Sequence, residues 1–200
     1  MTKHIVLEGI WGSPVERFTL DFIKRDQYQF DCIKVGIGAS PFNGLHGWVH
    51  ALTHNMECWR EAHGITLHQR SLWASYHYAK PLAGDDEVSL AEIDLFKSMT
   101  DNLLEMNQLP ELIVFFHCFP QVAQKNLEDF GSICAEIGEN NLRLVSKSML
   151  EWIEQMSLMG VEVIEIPPPM NESEEAYELW YNSASKRLIA YLERLNGSQD

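Results

Sequence analysis

The sequence predicts an α/β protein, a three-layer sandwich with a mostly parallel five-stranded sheet flanked by helices. Three observations carry this. Five short apolar runs alternate with longer amphipathic stretches along the chain. Two of those runs, LIVFFHC and VEVIEI, are rich in β-branched and aromatic residues, and the first is apolar almost throughout, as a strand buried on both faces must be. No internal repeat or low-complexity linker divides the 200 residues, so a single domain over 1–200 is expected, closing in a short tail at 196–200. In such folds crossovers are right-handed and ligands sit beyond the carboxyl ends of the strands, here the loops after Glu8, Gly36, Gln69 and Cys118.

The elements follow in order. A strand at 5–8 runs into Gly9 and Gly12, and a helix over 15–24 follows. A second strand covers 32–36, then a long His-rich helix 44–62. The third strand, 65–68, leads into a helix at 71–82. Residues 90–107 form a helix with Leu90, Ile93, Phe96, Met99, Leu103 and Met106 at helical spacing on one face. The fourth strand, 112–118, precedes a helix at 120–130, and a helix at 142–159 precedes the fifth strand, 161–166. The segment IPPPMNES stops the chain before a last helix at 173–195, with Asn171 or Ser173 as its cap.

Composition narrows the function. The formal net charge of −14 argues against a protein that lives on bulk nucleic acid or an anionic membrane, since each wants a basic face. It leaves open a small anionic ligand held by local donors. No apolar run spans a bilayer and no leader precedes the first strand, so a cytoplasmic protein is expected. Cys32, Cys58, Cys118 and Cys134 are scattered without C-x-x-C, which reads as buried free thiols.

Three segments carry a resemblance. IVLEGIWG opens as a phosphate loop does. HQRSLWASYHYAKPL (68–82) resembles the E-R-S segment of deoxynucleoside kinases and the corresponding arginine segment of thymidylate kinases. LPELIVFFHCFPQVAQKNL (109–127) is similar to the P-D-L-I strand and following helix of the same superfamily. Their order and spacing match, and LRLVSKSMLEWIEQM with GVEVIEI fits the last helix and strand. The resemblance covers most of the chain and implies a P-loop kinase-like nucleoside or nucleotide kinase fold. A fold does not by itself imply the activity.

The departures concern the chemistry. A phosphate loop needs G-x-x-x-x-G-K-[ST], so that backbone N–H groups and a lysine meet the phosphates at a helix head. Gly9 is in place, but Pro14, Val15 and Glu16 replace the last glycine, the lysine and the hydroxyl residue. Proline has no N–H to donate. Gly9, Gly12 and Arg17 are the remnant of the loop, Arg17 being the one cation able to swing toward a lysine's place. The segment after the second strand, IKVGIGASPFNGL, holds no carboxylate to act as the base that the resemblance implies there. The E-R-S glutamate is Gln69, while Arg70 and Ser71 are kept. Arg70 is the catalytic candidate if any activity remains, and a salt bridge tying the strand end to a neighbouring helix is the alternative. The family's second arginine falls on Tyr76, and the stretch where its arginine-rich lid would lie has Lys125 and four acidic residues.

Two further constellations stand out. His46, His50, His54 and Cys58 recur at i, i+4 and would share a helix face pairwise, as a weak metal candidate, a polar pocket wall or an exposed face. Trp48, His54, Gln69, Trp73 and Tyr76 are the nucleoside-pocket candidates, since aromatic faces stack on bases. Trp11 lies where it would fill the phosphate space. The sequence therefore reads as a kinase-like protein with a degenerate phosphate loop, a pseudokinase that binds a nucleoside, a nucleotide or a protein partner, or forms a homodimer. No cofactor is expected. The alternatives are an active atypical deoxynucleoside or nucleoside-monophosphate kinase using ATP and Mg²⁺, and a structural subunit of a larger assembly.

Overall fold

The structure is a computed structural model that describes residues 2–25, 30–36, 44–82, 89–170 and 173–197. Its element order is β1 (Lys3–Glu8), α1 (Val15–Arg25), β2 (Cys32–Val35), α2 (Gly44–Arg60), β3 (Ile65–Gln69), α3 (Ser75–Ala79), α4 (Leu90–Met106), β4 (Leu112–Phe116), α5 (Pro120–Asp129), α6 (Gly138–Leu158), β5 (Glu162–Ile166) and α7 (Glu174–Gly197). The five strands form one sheet in the order β2-β3-β1-β4-β5, and every pair is parallel. This is the α/β sandwich that the strand–helix alternation predicts.

Alternation along the strands sorts two cores. Ile5 and Leu7 of β1, Leu67 of β3, Val114 and Phe116 of β4 and Ile164 of β5 face α1 and α7. Val6, Ile113 and Phe115 face the other way, under α2 to α6, with Trp48, Trp73, Phe96, Met149 and Trp152. The three central strands are buried on both faces, which is why LIVFF has no polar residue. The chain turns from the β2–β3 side to the β4–β5 side around β1, so the carboxyl end of β1 lies at the switch point of the sheet.

Several boundaries differ from the sequence reading. The helix expected over 71–82 is a five-residue α3 followed by a 3₁₀ turn, Lys80–Leu82. Residues 71–74 form a turn because the Trp73 N–H donates to Ser71 Oγ and the Ser75 N–H to the Leu72 carbonyl. α6 starts earlier, at Gly138, and α7 runs on through Gly197. α4 carries a complete capping box between Ser89 and Glu92. Its buried face holds Ile93, Phe96 and Thr100, whereas Leu90 and Met106, expected on the same face, stand out in solvent. Ser173 caps α7, accepting from the Ala176 N–H, and Asn171 lies outside the described residues. All four cysteines are free, but they are half-buried rather than buried. No helix among the described residues is long and apolar enough to cross a membrane.

Candidate functional site

β1 and β3 end side by side, and their carboxyl ends bring Glu8, Gly9, Gln69 and Arg70 together. Glu8 is fully buried and Arg70 is 7% exposed. A charge taken out of water must be paired and bonded. Here Arg70 Nη1 donates to Glu8 Oε1 at 2.9 Å and to the Tyr78 hydroxyl at 2.5 Å, and it also meets the Gly9 carbonyl. The Tyr78 hydroxyl lies 2.8 Å from Glu8 Oε1 and touches the same Gly9 carbonyl. The backbone N–H of Ser71 donates to Glu8 Oε2 at 2.8 Å, and that of Gly9 to Oε1 at 3.1 Å. Burial opposes the charge on Arg70, but Tyr78 and Glu8 outweigh it and hold the guanidinium protonated. Burial, and then Glu8, push the Tyr78 phenol far above its ordinary value, so it stays a neutral donor although Arg70 opposes the shift. Arg70 adopts φ 75°, a left-handed conformation that costs a non-glycine residue about 1–3 kcal/mol and persists where its surroundings over-determine it. Its N–H donates to the Leu7 carbonyl at 3.0 Å, which fixes that backbone.

The loop from β1 to α1 is closed by its own contacts. Trp11 is buried, its ring 4.6 Å from that of Tyr78. Gly12 has φ 74° and lies so close to α5 that a Cβ would collide with the Ala123 carbonyl. Its own carbonyl accepts from Asn126 Nδ2 at 2.8 Å. The Ser13 N–H donates to the Ile10 carbonyl at 3.0 Å, and the Ser13 hydroxyl is buried with no partner among the described residues. Arg17 does not swing toward the loop. It pairs with Glu174 at 2.7 Å and lies over the Tyr177 ring, holding α1 to α7.

The other sequence-predicted residues scatter. Trp48 and Trp73 are core side chains, packed on Phe96 and Trp59 respectively. Tyr76 is half-buried, with Lys97 Nζ of α4 5.9 Å from its ring. His54 sits on the β2 side, 3.2 Å from the Val35 carbonyl and 3.6 Å from Cys58 Sγ. Gln69 accepts from the Gly36 N–H through its backbone carbonyl. Among the described residues, no hydrogen bond or ring contact joins any two of these five. His46 and His50 are exposed on α2, and no group of three His, Cys, Asp or Glu among the described residues is placed to hold a metal. Of the segment 33–45 that lacks a base, residues 37–43 lie outside the described residues.

A second arrangement lies beyond β4 and β5. A cavity of about 520 Å³ is lined by His117, Cys118, Phe119, Ser146, Glu165 and Pro167, among others. His117 Nε2 and Glu165 Oε2 are 2.7 Å apart. Burial raises the Cys118 thiol to about 11, so it is not a thiolate at neutral pH.

Comparison with solved structures bears on the fold. A deoxyadenosine kinase from M. mycoides with the products dCMP and dCDP bound superposes with a TM-score of 0.70 at 12% identity, covering 96% of this chain and 99% of that one. The fold is that of the deoxynucleoside kinases. The same enzyme with bound dATP gives 0.68 at 14% identity, covering 90% and 98%, and with bound dCTP 0.66 at 13%, covering 92% and 99%. No family model and no curated protein sequence matches the chain. In the deoxynucleoside kinase fold as this chain builds it, what sequence reasoning missed is that Glu8 and Tyr78 are the partners of Arg70. Glu8 was legible in principle: an ionisable residue ending a wholly buried strand demands a partner. Nothing local marks Tyr78, which meets Glu8 only through the turn at 70–74.

Proposed function

We propose that this protein is a deoxynucleoside kinase-like binding protein that does not transfer phosphate. One observation carries the reading. The guanidinium at the end of β3, the best-placed cation for a phosphate, is spent inside the molecule on Glu8, the Gly9 carbonyl and Tyr78. The loop beside it has Val15 where a phosphate loop needs lysine, and Pro14 where it needs a donor. The function left to the fold is binding, of a nucleoside, a nucleotide or a protein partner.

A second reading, an atypical nucleoside kinase, is favoured by the unpartnered Ser13 hydroxyl close to the head of α1, where an anion would find a donor. Thermal melting separates the two. The melting temperature is expected to stay unchanged with ATP and Mg²⁺, while a nucleoside or deoxynucleoside monophosphate raises it if that is the ligand. A clear shift with ATP–Mg²⁺ overturns the binding-only reading and calls for a turnover assay.

A further inference from the structure

The cavity beyond β4 and β5 has polar groups that nothing in the molecule uses. Glu165 of β5 is in register with Phe115 of β4, and His117 lies two residues beyond Phe115, so all three share one face of the sheet. Phe115 belongs to the core under α6, and Ser146 of α6 lines the cavity from that side. The His117 side chain is held in place. Its backbone N–H donates to the Ile166 carbonyl at 2.9 Å, and its ring stands at right angles to that of Phe115, with centroids 5.0 Å apart. A carboxylate only accepts, so the 2.7 Å contact is a donation from His117 Nε2 to Glu165 Oε2. In the neutral ring this leaves Nδ1 with a lone pair. Among the described residues, Nδ1, the second Glu165 oxygen and the Ser146 hydroxyl have no hydrogen-bond partner. The first two accept, and the hydroxyl can do so.

The charge around the cavity has one sign. Among the described residues its lining contains Glu165 and neither lysine nor arginine. No lysine or arginine among them pairs with the Glu165 carboxylate, and Arg187 Nη1 donates instead to the Glu165 backbone carbonyl at 2.7 Å. Pro120, the first residue of α5, has no N–H to offer an anion. A phosphate or carboxylate brought here meets a like charge. An ammonium group brings three N–H donors to three acceptors.

The remaining wall is apolar and stiff. Phe119 is 55% exposed beside the cavity, and an aromatic face attracts a cation. Pro120, Pro167 and Pro168 have fixed φ, and the Pro167 carbonyl accepts from Trp180 Nε1 at 2.6 Å, which ties this wall to α7. The volume, about 520 Å³, is that of a small-molecule site.

We propose that this cavity binds a small organic cation, an ammonium group on an aromatic body, with the ammonium on Glu165, His117 and Ser146 and the body on Phe119 and the prolines. The site is separate from the Glu8–Arg70 cluster and independent of the nucleoside-binding reading.

The test titrates the full chain with three probes of similar shape, 2-phenylethylamine, 2-phenylethanol and 3-phenylpropanoate, and follows the imidazole signals of the histidines by NMR. Saturable binding of the amine with a shift of the His117 signals is expected, about tenfold weaker binding of the alcohol, and none of the carboxylate. Glu165→Gln keeps the shape and removes the charge, and is expected to weaken the amine about tenfold. Phe119→Ala is expected to weaken it about threefold. Both side chains are exposed, and unchanged melting of each variant shows that the fold is intact. Glu154→Gln, an exposed carboxylate of α6 outside the cavity, is expected to change nothing, which separates a site from general attraction to a chain of −14. Failure of the amine to bind, binding of alcohol or carboxylate as tight as the amine, or binding indifferent to Glu165→Gln overturns the proposal. No nucleoside or nucleotide is present, so these outcomes leave the melting experiment untouched.

Discussion

Two pairs of a carboxylate and a side-chain nitrogen sit at the carboxyl ends of neighbouring strands, and they could hardly differ more in setting. Glu8 and Arg70, beyond β1 and β3, have side chains 0% and 6% exposed. His117 and Glu165, beyond β4 and β5, are 32% and 55% exposed beside an open cavity. The first pair lies over central strands and under Trp11 and Tyr78. The second lies at β5, the last strand of the sheet, with only one neighbour. The same chemistry becomes a structural knot where the fold covers it and a solvated surface contact where it does not.

The largest expected effect breaks that contrast directly. Glu8→Ala leaves the Arg70 charge buried and unpaired, and is expected to cost about 3–5 kcal/mol in urea unfolding. Glu165→Ala, the same deletion at the exposed pair, is expected to cost about 1 kcal/mol or less. Equal losses would show that burial does not separate the two ends. A Glu8→Leu, Arg70→Met double variant should recover much of the loss, because an apolar pair carries no desolvation penalty.

A smaller effect sharpens how firmly the loop from β1 to α1 is shut. Gly12→Ala puts a methyl group into the Ala123 carbonyl at a positive φ, and about 2 kcal/mol of destabilisation is expected in the same unfolding assay. A neutral outcome would mean that the loop moves freely away from α5.

A buried histidine pair supplies a third comparison. His4 Nδ1 and His68 Nε2 are 3.0 Å apart, both rings buried and stacked against Trp59. Burial lowers His4 to about 4, and burial with the nearby His4 and Lys34 lowers His68 to about 3. The unfolded chain binds these protons near pH 6.5, so between there and about pH 3 it holds more protons than the folded one. Their contribution to stability is complete above pH 6.5 and is lost as pH falls through that window. The melting temperature should therefore drop from pH 7 to pH 5, and a His4→Phe, His68→Leu double variant should flatten the slope. An unchanged slope would assign the acid sensitivity to other groups.

Much of the fold was legible because it rests on local patterns. LIVFF can be only a strand covered on both faces, and a strand–helix alternation with such strands leads to a parallel sheet. The helix ends were less legible where side chains override the pattern, as at 71–74, where Ser71 Oγ captures the Trp73 N–H and holds a turn. The candidate site was half legible. Arg70 stood out, but its partners lie 62 and 8 residues away and come together only when β1, β3 and α3 pack. Trp73 reads equally well as pocket wall or core, since an indole suits both and only neighbours decide.

By itself, the sequence determined which segments are strands and helices, that Pro14, Val15 and Glu16 open the first helix, and that the chain is strongly acidic. Those properties belong to residue types and their spacing. Only the tertiary structure decided that Arg70 turns inward to Glu8 and that Arg17 faces α7. A side chain's direction depends on which distant group can satisfy its charge or cover its apolar surface, and that pairing exists only once the sheet has formed.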